Sequence, residues 1–253
     1  MRTTIIFLED LRKELLNCRL LLCLLLLQVV QCFLLNPGPG NLASTEHLLE
    51  EFFYTVSLAA SMVFSIYGSA ALTEEERLGT LQTLFLAPIS LREYIQAKIS
   101  FPVFSWLLSW CLLLLNIRLA RRWIGAVCPG DLLIAATALF LCVLSVMLFT
   151  VLVCTLTRDI RTALLLTLSL IFLHLVVIRP LYGIGPVGFL VGATWFMPFV
   201  HADRVWIWAF EKIVYARIAV SPWLEILWLG LFSLFVLMAT ILVLVRRYRR
   251  SIE

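Results

Sequence analysis

Charge is what this chain has least of. Asp, Glu, Lys and Arg make up 14% of its 253 residues, where a soluble domain carries about a quarter. With 62% apolar residues and a mean hydropathy of +1.00, an ordinary soluble fold is excluded. The composition points instead to an all-α, polytopic membrane protein, because each crossing takes roughly 20 apolar residues.

Three further absences narrow the chemistry. No G-x-x-x-x-G-K-[ST] run occurs, so the chain has no loop of that kind to cradle a nucleotide's phosphates. Cysteines stand at 18, 23, 32, 111, 128, 142 and 154 without zinc or scaffold spacing. They read as small buried hydrophobes, with Cys128 alone expected outside. Neither a paired-histidine helix motif nor a serine with a histidine partner is present. Ser105, Ser109, Ser145 and Ser169 lie in apolar surroundings, and His47 and His201 are too far apart to suggest a metal site. Catalysis, a cofactor, a metal and a nucleic-acid partner are therefore not expected.

Ionisable residues are also scarce inside the apolar runs. His174 is the one read deep in a span, where a hydrogen bond between helices is expected of it. Arg118 and Glu225 fall near span ends, where side chains snorkel. Transport driven by an ion gradient normally places ionisable groups within spans. That function is accordingly the weaker alternative, together with a non-transporting scaffold.

What is there is a series of long apolar runs. Residues 19–35, 53–73, 99–117, 132–156, 162–178 and 223–245 predict six transmembrane helices in one transmembrane domain, 1–253. The first is read as a retained span, because acids and bases precede it and NPGPGN is a poor cleavage site. Residues 1–18 put Ile5, Leu8, Leu11 and Leu15 on one stripe and Glu9, Arg12, Lys13 and Glu14 opposite, the pattern of an interfacial amphipathic helix.

The stretch 179–222 is broken by Pro180, Pro186 and Pro198 and by four glycines between 183 and 192. Its apolar core, Val187 to Val200, is too short to cross and predicts a re-entrant segment on the outer side. Trp195, Trp206, Trp208 and Trp223 are assigned to an interfacial aromatic belt. Six crossings put both termini on one side, which holds about 13 of the 20 Lys and Arg, whereas the outer loop 36–52 has none. The positive-inside bias then predicts cytoplasmic termini and a plasma-membrane location.

The longest charged passage is EEERLGTLQTLFLAPISLREYIQAK, residues 74–98. Gly79 suits the left-handed conformation that ends a helix, and Thr80 can cap the next one. Leu81, Leu84 and Phe85 recur at helical spacing, and Pro88 closes that helix. Ser90 and Glu93 form a capping box that starts the helix running through Lys98. The passage reads either as a plain helical hairpin tip that contains a glycine and a proline or as a short exposed amphipathic helix suited to docking in a groove.

Glu75, Glu76, Arg77, Gly79, Thr80, Leu81, Leu84, Pro88 and Lys98, in that order, resemble the cytoplasmic signature of ABC type-2 permeases. In that family an E-x-x-G-T-L-E-x-L run follows the second span, a proline follows the leucines, and a lysine begins the third span. Here Gln82 replaces the second glutamate, which removes any ion pair made at that position. The six spans, the N-terminal helix and the interrupted outer segment are similar to the family as well.

The resemblance implies that these residues, with Phe85, form a coupling helix seated on a separate ATPase subunit that binds ATP and Mg. It also implies a homodimer or a heterodimer with a related permease, and export of a substrate by alternating access.

Overall fold

The computed structural model describes residues 45–77, 91–124, 129–157, 159–174, 197–210 and 221–252, with the isolated positions 8, 12 and 176. They form six helices: α1 Thr45–Arg77, α2 Leu91–Ile124, α3 Pro129–Thr157, α4 Ile160–Leu173, α5 Pro198–Phe210 and α6 Pro222–Ile252. Three of them open on proline, whose fixed φ and missing N–H suit the first helical position. Asp159 caps α4 by accepting from the amides of Arg161 and Thr162 at 3.1 Å each. These bonds and the Thr162 hydroxyl hold its carboxyl below the usual range, the hydroxyl contributing most. The cap's contribution is thus present above the ordinary carboxylate range and fades as pH falls through the lowered value.

Four helices are long and apolar enough to cross a membrane: α1, α2, α3 and α6. The expected first span, 19–35, and the interfacial helix, apart from Leu8 and Arg12, lie outside the described residues. Of the fifth expected span, 162–178, the described part is α4, an apolar helix of 14 residues, followed by helical His174 and Val176; residues 175, 177 and 178 lie outside the described residues. Elsewhere the helices overrun the expected spans. α1 begins eight residues earlier than residue 53 and continues through the charged turn to Arg77, because a helix need not stop where the apolar run does.

The bundle is organised around α3, which touches all five other helices. The apolar stretches of α1 and α3 are each 67% buried, against 22% for α6, whose outward Leu227, Leu231, Leu234 and Phe235 make an apolar outer face suited to lipid. α1 runs antiparallel to α2, with the rings of Phe64 and Trp106 5.1 Å apart and those of Tyr67 and Phe101 5.7 Å apart. α2 is fastened to α3 by two indoles. Trp106 Nε1 donates to the Phe140 carbonyl at 3.0 Å and Trp110 Nε1 to that of Ala136 at 2.8 Å.

Small residues let α1 approach α3 closely, as is usual where lipid gives no hydrophobic drive for helix pairing. Ser57, Ala60, Ser61, Ser65 and Ser69 are buried along α1. Thr150 of α3 donates to Ser65 Oγ at 2.9 Å and pairs with Thr167 Oγ1 of α4 at 2.8 Å, while Ser145 pairs with Ser233 of α6 at 2.7 Å.

Gly68 marks the tightest approach: a Cβ built there would lie 3.1 Å from Val151 Cγ2 and 3.3 Å from Met147 Cγ. We expect Gly68→Ala to destabilise the bundle by about 1 kcal/mol, and Gly68→Leu, which must force α1 off α3, by about 3 kcal/mol. Unfolding of the purified protein in mixed detergent–SDS micelles measures both. A Leu variant as stable as wild type would show that the two helices are not in close contact.

Most of the expected re-entrant core, 187–196, lies outside the described residues; the described helix of the 179–222 stretch is α5, Pro198–Phe210, which differs from expectation in its burial. Phe199, Ala202, Val205, Trp206, Ala209 and Phe210 recur on its buried side, and α5 packs on α3, α6 and α1. Trp206 is therefore not a belt residue. It is 0% exposed and donates to the Ala135 carbonyl of α3 at 3.1 Å. Trp223 is exposed. Cys142 and Cys154 are buried, whereas Cys111 faces outward.

Candidate functional site

Two places in the bundle carry polar groups worth weighing as sites, one at each end. The first is the charged elbow between α1 and α2. Glu75, Glu76 and Arg77 occupy the last turn of α1, and α2 resumes at Leu91 with Glu93 in its first turn. Gly79, Thr80, Leu81, Leu84, Phe85 and Pro88 lie outside the described residues. Because α1 and α2 run antiparallel in contact, the two ends of the elbow emerge at the same end of the bundle.

Lys98 is two turns into α2 and only 5% exposed, with its ammonium 5.9 Å from the centroid of the Tyr94 ring, within reach of a cation–π attraction. Around it Tyr94 and Ile95 pack in one cluster with Val151 of α3 and Leu244 of α6. The first turns of α2 thereby touch two other helices directly after the elbow. Pro102, one turn further on, has no N–H to give the Lys98 carbonyl, which leaves α2 weakest just beyond this contact.

The second place lies at the opposite end. His201 and Arg204 are three apart on α5, hence on one face, and both meet Glu225 in the first turn of α6. Arg204 Nη1 donates to Glu225 Oε1 at 3.2 Å, and His201 Nδ1 contacts Glu225 Oε2. The side chains are 3% (His201), 9% (Glu225) and 17% (Arg204) exposed. The His201 ring also lies nearly parallel to that of Trp228, with centroids 3.9 Å apart, and Trp228 stacks in turn on Phe232. A carboxylate at a helix N-terminus is further favoured by the backbone dipole.

Glu225 is therefore held against α5 inside the protein rather than snorkelling. Glu50, Asp131, His174 and Asp203 are buried as well. His174 sits between the rings of Tyr54 and Phe199. The pairing of His201 with Glu225 spans 24 residues, so no window of the sequence displays it. The available signal was the i, i+3 spacing of His201 and Arg204 within an otherwise apolar helix. Among the described residues no group of three or more His, Cys, Asp and Glu is placed to hold a metal ion.

No curated protein matches this chain. A family model described as ABC-2 family transporter protein does match, over residues 11–174, which takes in α1 to α4 and the elbow between the first two. Well over half of the sequence lies within that match, and the four described helices that are long and apolar enough to cross a membrane agree with a membrane transport protein. The chain belongs to the ABC-2 family of membrane transport proteins.

Proposed function

We propose that this protein is the permease subunit of an ATP-driven exporter, worked by a separate nucleotide-binding subunit that docks on the elbow from Glu74 to Lys98. The observation that carries the reading is the join between the elbow and the core. Both ends of the elbow leave the same end of the bundle, and the first turns of α2 pack through Tyr94 and Ile95 against Val151 and Leu244.

Closure of an ATPase dimer pushes the elbow, and the push reaches α3 and α6 through those four side chains. α3 touches every other described helix, so the spans reorient as near-rigid bodies rather than deforming one by one. In this arrangement both termini and the elbow face the cytoplasm, in keeping with the bias of Lys and Arg. Two copies, or one copy with a related permease, enclose the path, and ATP and Mg belong to the partner. Glu75, Glu76, Arg77, Gly79, Thr80, Leu81, Leu84, Phe85 and Pro88 form the docking surface, and Lys98 anchors its exit.

The test is purification of the chain with its partner, followed by ATPase assay of variants. Glu75→Lys with Glu76→Lys, or Gly79→Pro, is expected to lower substrate-stimulated hydrolysis about 30-fold with membrane insertion unchanged. Loss of a docking hot spot costs about 2 kcal/mol, which corresponds to that factor. Full coupling in these variants would remove the docking role. Uncoupler-sensitive transport without any ATPase would instead identify a gradient-driven carrier, and partner binding without stimulated hydrolysis a scaffold.

A further inference from the structure

The stretch matched by the family model ends at residue 174, so the ionic cluster on α5 and α6 lies beyond it. We propose that His201, Arg204 and Glu225 form a proton-sensitive clasp, which fastens α5 to the first turn of α6 while the imidazole is charged and slackens when it is neutral.

The geometry divides the two oxygens of Glu225 between two side chains of α5. Oε1 takes the guanidinium of Arg204 and Oε2 the ring of His201. Both contacts of the imidazole strengthen when it carries a proton: the carboxylate contact becomes an ion pair, and the stacked indole of Trp228 offers its electron-rich face to a cation. Loss of the proton weakens both together and leaves Arg204 holding Glu225. Histidine is the side chain that makes this change near neutral pH.

Other titratable groups lie on the elements packed against α5. α5 itself supplies buried Asp203, and α3 contributes Asp131 in its first turn, with Cys142 within electrostatic reach of Asp203. Glu50 and Glu51 stand in the first turns of α1, the third helix packed on α5. The basic groups there are Arg204 of α5 and His174, whose ring meets that of Phe199 of α5. The clasp is at the far end of the bundle from the elbow, so it does not depend on the docking reading. Its consequence is that the hold of α5 on α6 responds to pH on the side of the membrane that α5 faces.

The stack of His201 on Trp228 supplies a direct readout, since a charged imidazole in contact with an indole quenches its fluorescence. The full chain in detergent is scanned from about pH 5 to 8, the range in which histidines change charge. We expect emission to fall on the acid side in a one-proton transition, and both His201→Gln and Trp228→Phe to remove it. Glu225→Gln should move the midpoint to lower pH, since it removes the group that favours the charged ring. Arg204→Gln should move it to higher pH by removing a neighbouring cation.

Thermal unfolding gives the second measurement. A charged histidine that gains a partner on folding stabilises below its transition and ceases to do so as pH rises through it. The stability gap between wild type and His201→Gln should therefore close above the midpoint read by fluorescence. A flat wild-type emission, a transition that survives in Trp228→Phe, or a gap independent of pH would each overturn the clasp. Trp228→Phe keeps an aromatic ring in the stack, so the spectroscopic test survives even if His201→Gln fails to fold.

Discussion

Glu225→Ala is expected to destabilise the protein by about 3–5 kcal/mol, the range seen when one partner of a buried ion pair is removed. The reason lies in what stays behind. Arg204 and His201 approach the same carboxylate from one face of α5, and without it the guanidinium of Arg204 is left without its counter-ion in a largely buried site. The 17% exposure of Arg204 lets its guanidinium turn partly toward solvent, which favours the lower end of that range. Arg204→Ala in the same chain should recover part of the loss, because the charge left unbalanced is then gone. A double-mutant cycle by unfolding in mixed micelles measures that recovery. If Glu225→Ala proved no less stable than wild type, the cluster would have to be hydrated and α5 loosely seated.

Trp206→Ala should cost about as much, 3–5 kcal/mol, for a different reason. The indole is completely buried between α5 and the rest of the bundle, with its ring 6.3 Å from that of Phe53 and its N–H on the Ala135 carbonyl. Hydrophobic transfer contributes less in a bilayer than in water, but the cavity and the lost contacts with Phe53 and α3 remain. Trp206→Phe refills most of the space and gives up the hydrogen bond, for about 1 kcal/mol. A large Ala effect beside a small Phe effect identifies packing as the main term. A belt residue at an interface would show little change in either variant.

The two ends of the bundle differ in how much of them the sequence discloses. Apolar runs of bilayer length revealed α1, α2, α3 and α6, since length and hydropathy are local properties. The charged passage 74–98 is equally local in sequence, with its own punctuation in Gly79 and Pro88, but only its ends in α1 and α2 fall within the described residues. α5 was harder. Its prolines and glycines announced an interruption, but whether Trp206 met lipid headgroups or Ala135 depended on a neighbour 71 positions away. Glu225 misled in the same manner, because its place near a span end is compatible with snorkelling until α5 brings His201 and Arg204 to it. Hydropathy locates a helix along the membrane normal; it does not specify which helix covers which face.

The hydroxyls at the centre of the bundle have a mechanical consequence. Ser145, Thr150, Thr167 and Ser233 reach across to neighbouring helices, and the single O–H of each can instead turn to the carbonyl four residues earlier on its own helix, at 2.7 Å, 2.8 Å, 2.9 Å and 2.9 Å respectively. A cross-helix bond of this type is worth only about 0.6 kcal/mol. When one lets go, its oxygen already has a home and is not stranded in hydrocarbon. The interior thus behaves like a lubricated bearing, in which α1, α4 and α6 can slip against α3 at little penalty while indole and carboxylate fastenings at the rim determine how far they travel.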